Sequence, residues 1–150
     1  TNRKPEVNHK MRKLQMQAAN KVSKENASVD NMDQATAIIT NPTHFAVALK
    51  YEVGESNAPK IIAKGRGKVA EKIISEAKRL RIGNLQSPLL ARALYYTGEI
   101  GDEVMSKLYN AVAIALAYIY KINNGESIEK PEIDVPDELI FDEYGNQNDK

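Results

Sequence analysis

Residues 37–51 read A-I-I-T-N-P-T-H-F-A-V-A-L-K-Y, and the rest of the chain is organised around them. Two apolar runs, Ala37–Ile39 and Phe45–Leu49, flank the polar tetrad Asn41-Pro42-Thr43-His44. Runs rich in Ile, Val and aromatic residues with a proline-bearing break between them predict two strands joined by a tight connection. Proline suits the second position of such a turn because its φ is already fixed, and asparagine readily precedes it.

The chemistry of the tetrad is more specific than its shape. An asparagine side chain can close a five-membered succinimide ring by two routes. In one, the backbone nitrogen of the next residue attacks the side-chain carbonyl and the asparagine deamidates. In the other, the side-chain amide nitrogen attacks the residue's own main-chain carbonyl and expels the next residue as an amine. Pro42 has no backbone N–H, so only the chain-cleaving route is open at Asn41–Pro42. An amide nitrogen is a poor nucleophile, so that route needs close approach, strain in the turn and a group that moves protons. Histidine is the residue type suited to that task near neutral pH, and His44 lies close by in sequence. Thr43 could orient the carbonyl, or stabilise the oxyanion through its hydroxyl or backbone N–H. On local grounds alone, an ordinary β-turn is the plainer reading of Asn-Pro.

The wider sequence reverses that balance. The run N-P-T-H-F-A-V-A-L-K-Y is followed by A-P-K-I-I-A-K-G-R-G from Ala58, L-A-R-A-L-Y from Leu90, E-I-G from Glu99 and L-Y-N-A-V-A from Leu108. In order and spacing these closely resemble the cytoplasmic domain of the FlhB/YscU family, the export-switch proteins of bacterial type III secretion, over residues 6–122. The resemblance is to the flagellar branch more than to the injectisome branch. It implies that Asn41, Pro42, Thr43 and His44 carry out one intramolecular cleavage between Asn41 and Pro42, without turnover and without a cofactor. It also implies a place at the cytoplasmic face of the bacterial inner membrane, behind transmembrane helices, so that this chain would be a fragment of a longer protein. The implied partners are other components of the flagellar export gate, the hook-length control protein and the exported rod/hook and filament subunits. In the family, cleavage is required for export to change from hook-type to filament-type substrates. A small apolar surface for exported subunits falls on Ala58, Pro59, Ala113 and Leu116, which as small apolar residues fit a core equally well. Some positions depart from the family pattern: Phe45 stands for a common tyrosine, Ser87 for one proline of a pair, and Val104-Met105 for Ile-Pro.

Composition limits the alternatives. The chain has 150 residues, enough for one domain with extensions, and no cysteine, which excludes disulfides and thiolate chemistry. His9 and His44 stand far apart, a poor basis for a zinc site. The longest apolar run, Ala111–Tyr120, is about half of what a membrane span needs. The net charge of +1 hides an asymmetry: residues 1–30 hold seven Lys/Arg against three acids, and residues 122–150 hold nine acids against two lysines. Basic arms favour anionic partners, and one joined to a membrane part would lie near the anionic surface.

In chain order, residues 1–33 read as a basic linker helix with a thin stripe at Met11, Leu14, Ala18 and Val22, ending in a polar joint at Asn26–Asp33. Residues 34–122 form the export-switch domain, with a third strand at Lys60–Lys64, a helix over residues 68–81 and a short strand at Ile82–Leu85. Ser87-Pro88 reads as a helix start with Ser87 as N-cap, opening a helix over residues 89–96. A last helix is expected over residues 102–120, apolar nearly all round in its second half, with Asp102 and Glu103 at its N-terminus. Gly65-Arg66-Gly67-Lys68 fails as a phosphate loop because Ile62 and Val69 replace the required glycine and hydroxyl residue, so it reads as a glycine-punctuated approach to a helix. Residues 123–150 read as an acidic, disordered tail. Its apolar island Val135–Phe141 is either a docking motif, the favoured reading, or a loosely packed remnant. The expected fold is α/β, a small four-stranded mixed sheet surrounded by helices.

Burial of Ile38, Ile39, Val47 and Leu49 would keep the two cleaved fragments associated, at roughly 1.5–3 kcal/mol for each side chain. Two other classes compete. A basic nucleic-acid-binding α/β module without autocleavage would use Lys64, Arg66 and Lys68 on phosphates, but it lacks a recognised motif and a stacking platform, so no nucleic acid is expected. A hydrolase would pair His44 with Thr43 as nucleophile, and no orienting acid is evident nearby in sequence.

Overall fold

The computed structural model describes residues 5–42, 44–52, 54 and 57–147. Helix α1 spans Pro5–Ser28, and a 3-10 segment, Val29–Gln34, leads to strands β1 (Ala37–Asn41) and β2 (Phe45–Lys50). Strand β3 (Lys60–Arg66), helix α2 (Lys68–Leu80), strand β4 (Gly83–Gln86), and helices α3 (Pro88–Thr97) and α4 (Tyr109–Asn123) complete the regular elements. The sheet order is β3-β2-β1-β4. β2 is antiparallel to both its neighbours, while β1 and β4 are parallel, a pairing that needs the crossover α2 supplies. The fold is therefore the expected small mixed sheet with helices around it.

Alternation along the strands turns Ile39, Phe45, Val47 and Leu49 to one face and Ile38, Ala46 and Ala48 to the other. Both faces are covered, which is why β1 and β2 read as continuous apolar runs. Val69, Ala70, Ile73 and Ala77 of α2 close one face together with Met32. Leu90 and Leu94 of α3, Val112 and Ile119 of α4, and Val135 and Phe141 close the other. Gly65 lets α2 approach β3, since a Cβ there would run into Val69.

The polar joint expected at Asn26–Asp33 is instead part of the domain. Met32 and, just before the joint, Glu25 are buried, as is Ser28. The Ser28 hydroxyl accepts from the Lys64 N–H at 3.4 Å, and Asn31 Nδ2 donates to the Ile62 carbonyl at 2.9 Å. Side chains that look like linker chemistry thus satisfy the outer backbone edge of β3, which would otherwise be left open. The earlier part of α1 fits the expected isolated helix, with Met11, Leu14 and Met16 exposed.

The expected disordered tail is corrected in the same way. Residues 126–136 carry no regular structure, but Val135, Leu139 and Phe141 are buried on the α3–α4 face and residues 137–139 form a 3-10 turn. Arg92 Nε donates to the Phe141 carbonyl at 2.7 Å. The apolar island docks on its own domain, because three well-spaced apolar side chains outweigh an acidic average composition.

The last helix begins seven residues later than expected, at Tyr109 after a 3-10 turn at Ser106–Leu108. Asp102 and Glu103 do not cap it. Backbone there extends the edge of β3 instead: the Ile61 N–H donates to the Asp102 carbonyl at 2.9 Å and the Val104 N–H to the Pro59 carbonyl at 2.8 Å. Nor is α4 buried all round, since Ile114, Tyr120 and Ile122 are exposed. Ser87 does stand at the N-cap of α3, but its side chain makes no capping bond. Its backbone acts instead, donating to the Thr40 carbonyl at 2.8 Å.

Candidate functional site

Asn41, Pro42 and His44 lie at the tip of the β1–β2 hairpin, with Asn41 paired to Phe45. The His44 N–H donates to the Asn41 carbonyl oxygen at 2.9 Å, closing a β-turn. Asn41 and Pro42 are half-buried and His44 is exposed. Thr43 lies outside the described residues, and its expected role with it. The carbonyl one residue before Asn41 is also held, by the Ser87 N–H, while Thr40 Oγ1 donates to Asn84 Oδ1 at 2.8 Å. Backbone on both sides of Asn41 is therefore pinned, leaving its side-chain torsions as the freedom needed to bring Nδ2 to its own carbonyl carbon. Beyond the turn, the His44 carbonyl accepts from the Gly67 N–H at 3.0 Å.

An aromatic cluster lies next to the turn. Phe45 stands 5.1 Å from Tyr95 and 5.7 Å from Tyr96, centroid to centroid, and Tyr96 stands 5.4 Å from Phe141. Arg66 lies over the Phe45 ring and donates to the Tyr96 hydroxyl at 3.1 Å and the Glu143 carbonyl at 3.0 Å. The tail is thereby joined to the end of β3, beside the turn.

Lys64 is buried, with Nζ donating to the Tyr95 carbonyl at 2.8 Å and the Gly98 carbonyl at 2.6 Å, where α3 ends and carbonyls lack helical partners. Burial lowers its pKa against the opposing pull of Glu99 and Glu25. The Tyr95 hydroxyl donates to Glu25 Oε2 at 2.8 Å, and burial followed by this bond pushes its pKa well above the ordinary value. Lys64 is thus committed inside the domain, and Arg66 to the tail. This corrects the nucleic-acid reading, which counted both among its phosphate contacts.

Ala58, Pro59, Ala113 and Leu116 come together in one groove of about 900 Å³ between the β3 approach and α4. Ala113 is exposed and Leu116 half-buried, so the patch is surface and not core. Tyr51, Tyr109 and Tyr120 also line it, with Glu103 among the polar groups. Sequence reasoning missed those three tyrosines, although the spacing of Tyr109, Ala113, Leu116 and Tyr120 is that of one helix face. It also missed the Gly67 contact, for which a backbone donor leaves no residue-type signal.

A mixed sheet covered on both faces thus presents the Asn-Pro turn at one hairpin tip and an apolar groove against α4. The chain belongs to the FlhB HrpN YscU SpaS family, which matches residues 1–119. It is 43% identical over 135 residues to the flagellar biosynthetic protein FlhB of Buchnera aphidicola subsp. Schizaphis graminum, covering 86% of this chain and 35% of that protein. It is 37% identical over 143 residues to FlhB of Salmonella typhimurium, covering 91% of this chain and 36% of that one. The chain thus spans about a third of the length of these relatives. The crystal structure of the cytoplasmic domain of FlhB from Shewanella putrefaciens superposes with a TM-score of 0.71 at 33% identity, covering 82% of this chain and 99% of that one. A mutated EscU C-terminal domain superposes with a TM-score of 0.58 at 29% identity, covering 61% and 92%. Among the described residues no helix is long and apolar enough to cross a membrane.

Proposed function

We propose that this chain is the cytoplasmic domain of a flagellar protein-export component at the inner membrane, that it splits itself once between Asn41 and Pro42, and that the split switches export from rod/hook-type to filament-type subunits. The observation that carries the cleavage reading is the 2.9 Å bond from the His44 N–H to the Asn41 carbonyl oxygen. That oxygen gains negative charge when Nδ2 attacks the carbonyl carbon, and a donor already aimed at it favours the tetrahedral intermediate. Nδ2 gives up one proton as its bond to the carbon forms. The carbon–nitrogen bond to Pro42 then breaks, and the proline nitrogen takes up one proton to leave as a secondary amine. The exposed His44 imidazole stands within three residues of both atoms and suits this proton transfer. Asn41 is left as a C-terminal succinimide, which water opens.

β1 lies between β2 and β4, so the fragments keep both ladders after the cut. What changes is the start of the second fragment, Pro42–His44, at the tip of the hairpin. Export-gate components and the hook-length control protein would act through that altered tip. The apolar groove of Ala58, Pro59, Ala113 and Leu116 suits an apolar segment of an exported subunit, and the basic, exposed part of α1 suits an anionic membrane surface.

Intact-mass analysis of the purified chain, with N-terminal sequencing of any smaller piece, tests the cleavage. Two co-purifying fragments, the second starting at Pro42, are expected. A chain that stays whole for days at neutral pH would return the tetrad to an ordinary turn.

A further inference from the structure

We infer that Gly67 is a positioning residue for the cleavage at Asn41, a reading that rests on the self-cleavage proposed above. The hydrogen bond that polarises the Asn41 carbonyl comes from the His44 N–H, and the His44 residue is itself held by a second bond, 3.0 Å from the Gly67 N–H to the His44 carbonyl. Phe45 pairs with Arg66, so this is the last rung of the β2–β3 ladder, one residue past both strand ends. It stands between the sheet and the turn. Without it the His44 backbone would keep only its bond to the Asn41 carbonyl before the ladder resumes at Phe45, and the donor could swing off the carbonyl it faces.

Gly67 can supply this rung only through an unusual backbone. It sits at φ 57° and ψ −124°, a conformation closed to ordinary L residues. The same residue starts α2, its carbonyl accepting from the Glu71 N–H at 3.1 Å. One strained corner therefore joins the reactive turn to a helix packed across the sheet. A Cβ added to Gly67 meets nothing within 4 Å, so an alanine there acts through backbone geometry and not through a clash. Gly65, two residues earlier, behaves in the opposite way: its Cβ would collide with Val69.

The test follows cleavage by mass after dilution out of denaturant, in semisynthetic 150-residue chains. Gly67→Ala is expected to cleave about tenfold slower, because the L residue moves the corner that holds His44. D-alanine at the same position carries the same methyl group but favours positive φ, and is expected to restore the unmodified rate. A chain with an ester in place of the Arg66–Gly67 amide lacks the Gly67 donor and carries a weaker acceptor at the Arg66 carbonyl, and about a fivefold loss is expected. A general packing role would not separate the two alanine enantiomers in this way. Wild-type rates in the L-alanine chain or in the ester chain, or equal slowing by both enantiomers, would overturn the positioning role. If the L-alanine chain does not fold, the D-alanine and ester chains decide alone. An unmodified chain that never cleaves overturns the cleavage reading itself, and this inference with it. A cleaving unmodified chain with an unaffected ester variant overturns the inference alone.

Discussion

His44 and Asn41 are joined by a hydrogen bond from the backbone of the first to the carbonyl of the second, 2.9 Å long, and this separates the roles of the two residues. In the proposed cleavage Asn41 supplies the attacking nitrogen, so Asn41→Ala should leave the chain whole and folded. His44 supplies a backbone donor that survives side-chain replacement and an imidazole that does not. His44→Ala should therefore slow cleavage by about a hundredfold without abolishing it. Mass spectra over a time course check both, and an Asn41→Ala chain that still breaks at this position would rule out cyclisation.

Cleaved fragments should travel together. The first ends in β1, whose Ile38 and Ile39 are fully buried between two neighbouring strands. Size-exclusion chromatography at neutral pH should give one peak containing both masses, and denaturant should be needed to separate them. Two native peaks would show that the ladders alone do not hold the halves.

Ala113 is exposed in the groove, so Ala113→Glu should leave thermal unfolding within about 1 °C of the original. A charge there lies against the apolar segment proposed to dock. Titration calorimetry with a peptide from a rod/hook subunit should show binding weakened about tenfold or more.

The acidic tail should contribute to stability. Phe141 is 8% exposed, stacks near Tyr96 and has its carbonyl held by Arg92. Phe141→Ala should cost about 3 kcal/mol and lower Tm by about 5–10 °C. A Tm unchanged by this substitution would return the tail to a loosely attached segment.

Alkaline stability should report on Tyr95. Its folded pKa is raised, by burial first and then by the bond to Glu25, above the unfolded value of 10.0. The stabilisation is therefore complete below pH 10.0 and is lost as pH rises beyond it, because the unfolded chain ionises while the folded one must keep the proton. Denaturant melts of the original chain and Tyr95→Phe should differ by a constant amount up to that pH and converge above it.

The sequence by itself determined the centre of this protein. Residues 37–51 specify a hairpin because two β-prone apolar runs flank a break whose proline has one allowed φ. The missing N–H of Pro42 likewise leaves one ring-closing route, a fact of covalent structure that needs no fold. Periodicity placed α2 within a residue of its end, since its apolar face is broad and uninterrupted. Local signals failed where backbone groups find partners far along the chain. Asp102 and Glu103 look like helix openers, but their backbone completes the edge of β3. Asn31 and Ser28 look like linker residues but serve the same edge further along the strand, at Ile62 and Lys64. An acidic average hid Val135, Leu139 and Phe141, whose burial depends on a face that α3 and α4 create together. Only the tertiary structure decided that the Asn41 carbonyl would meet a donor held by Gly67, because that geometry depends on the register of three strands, and register is a property of the whole sheet.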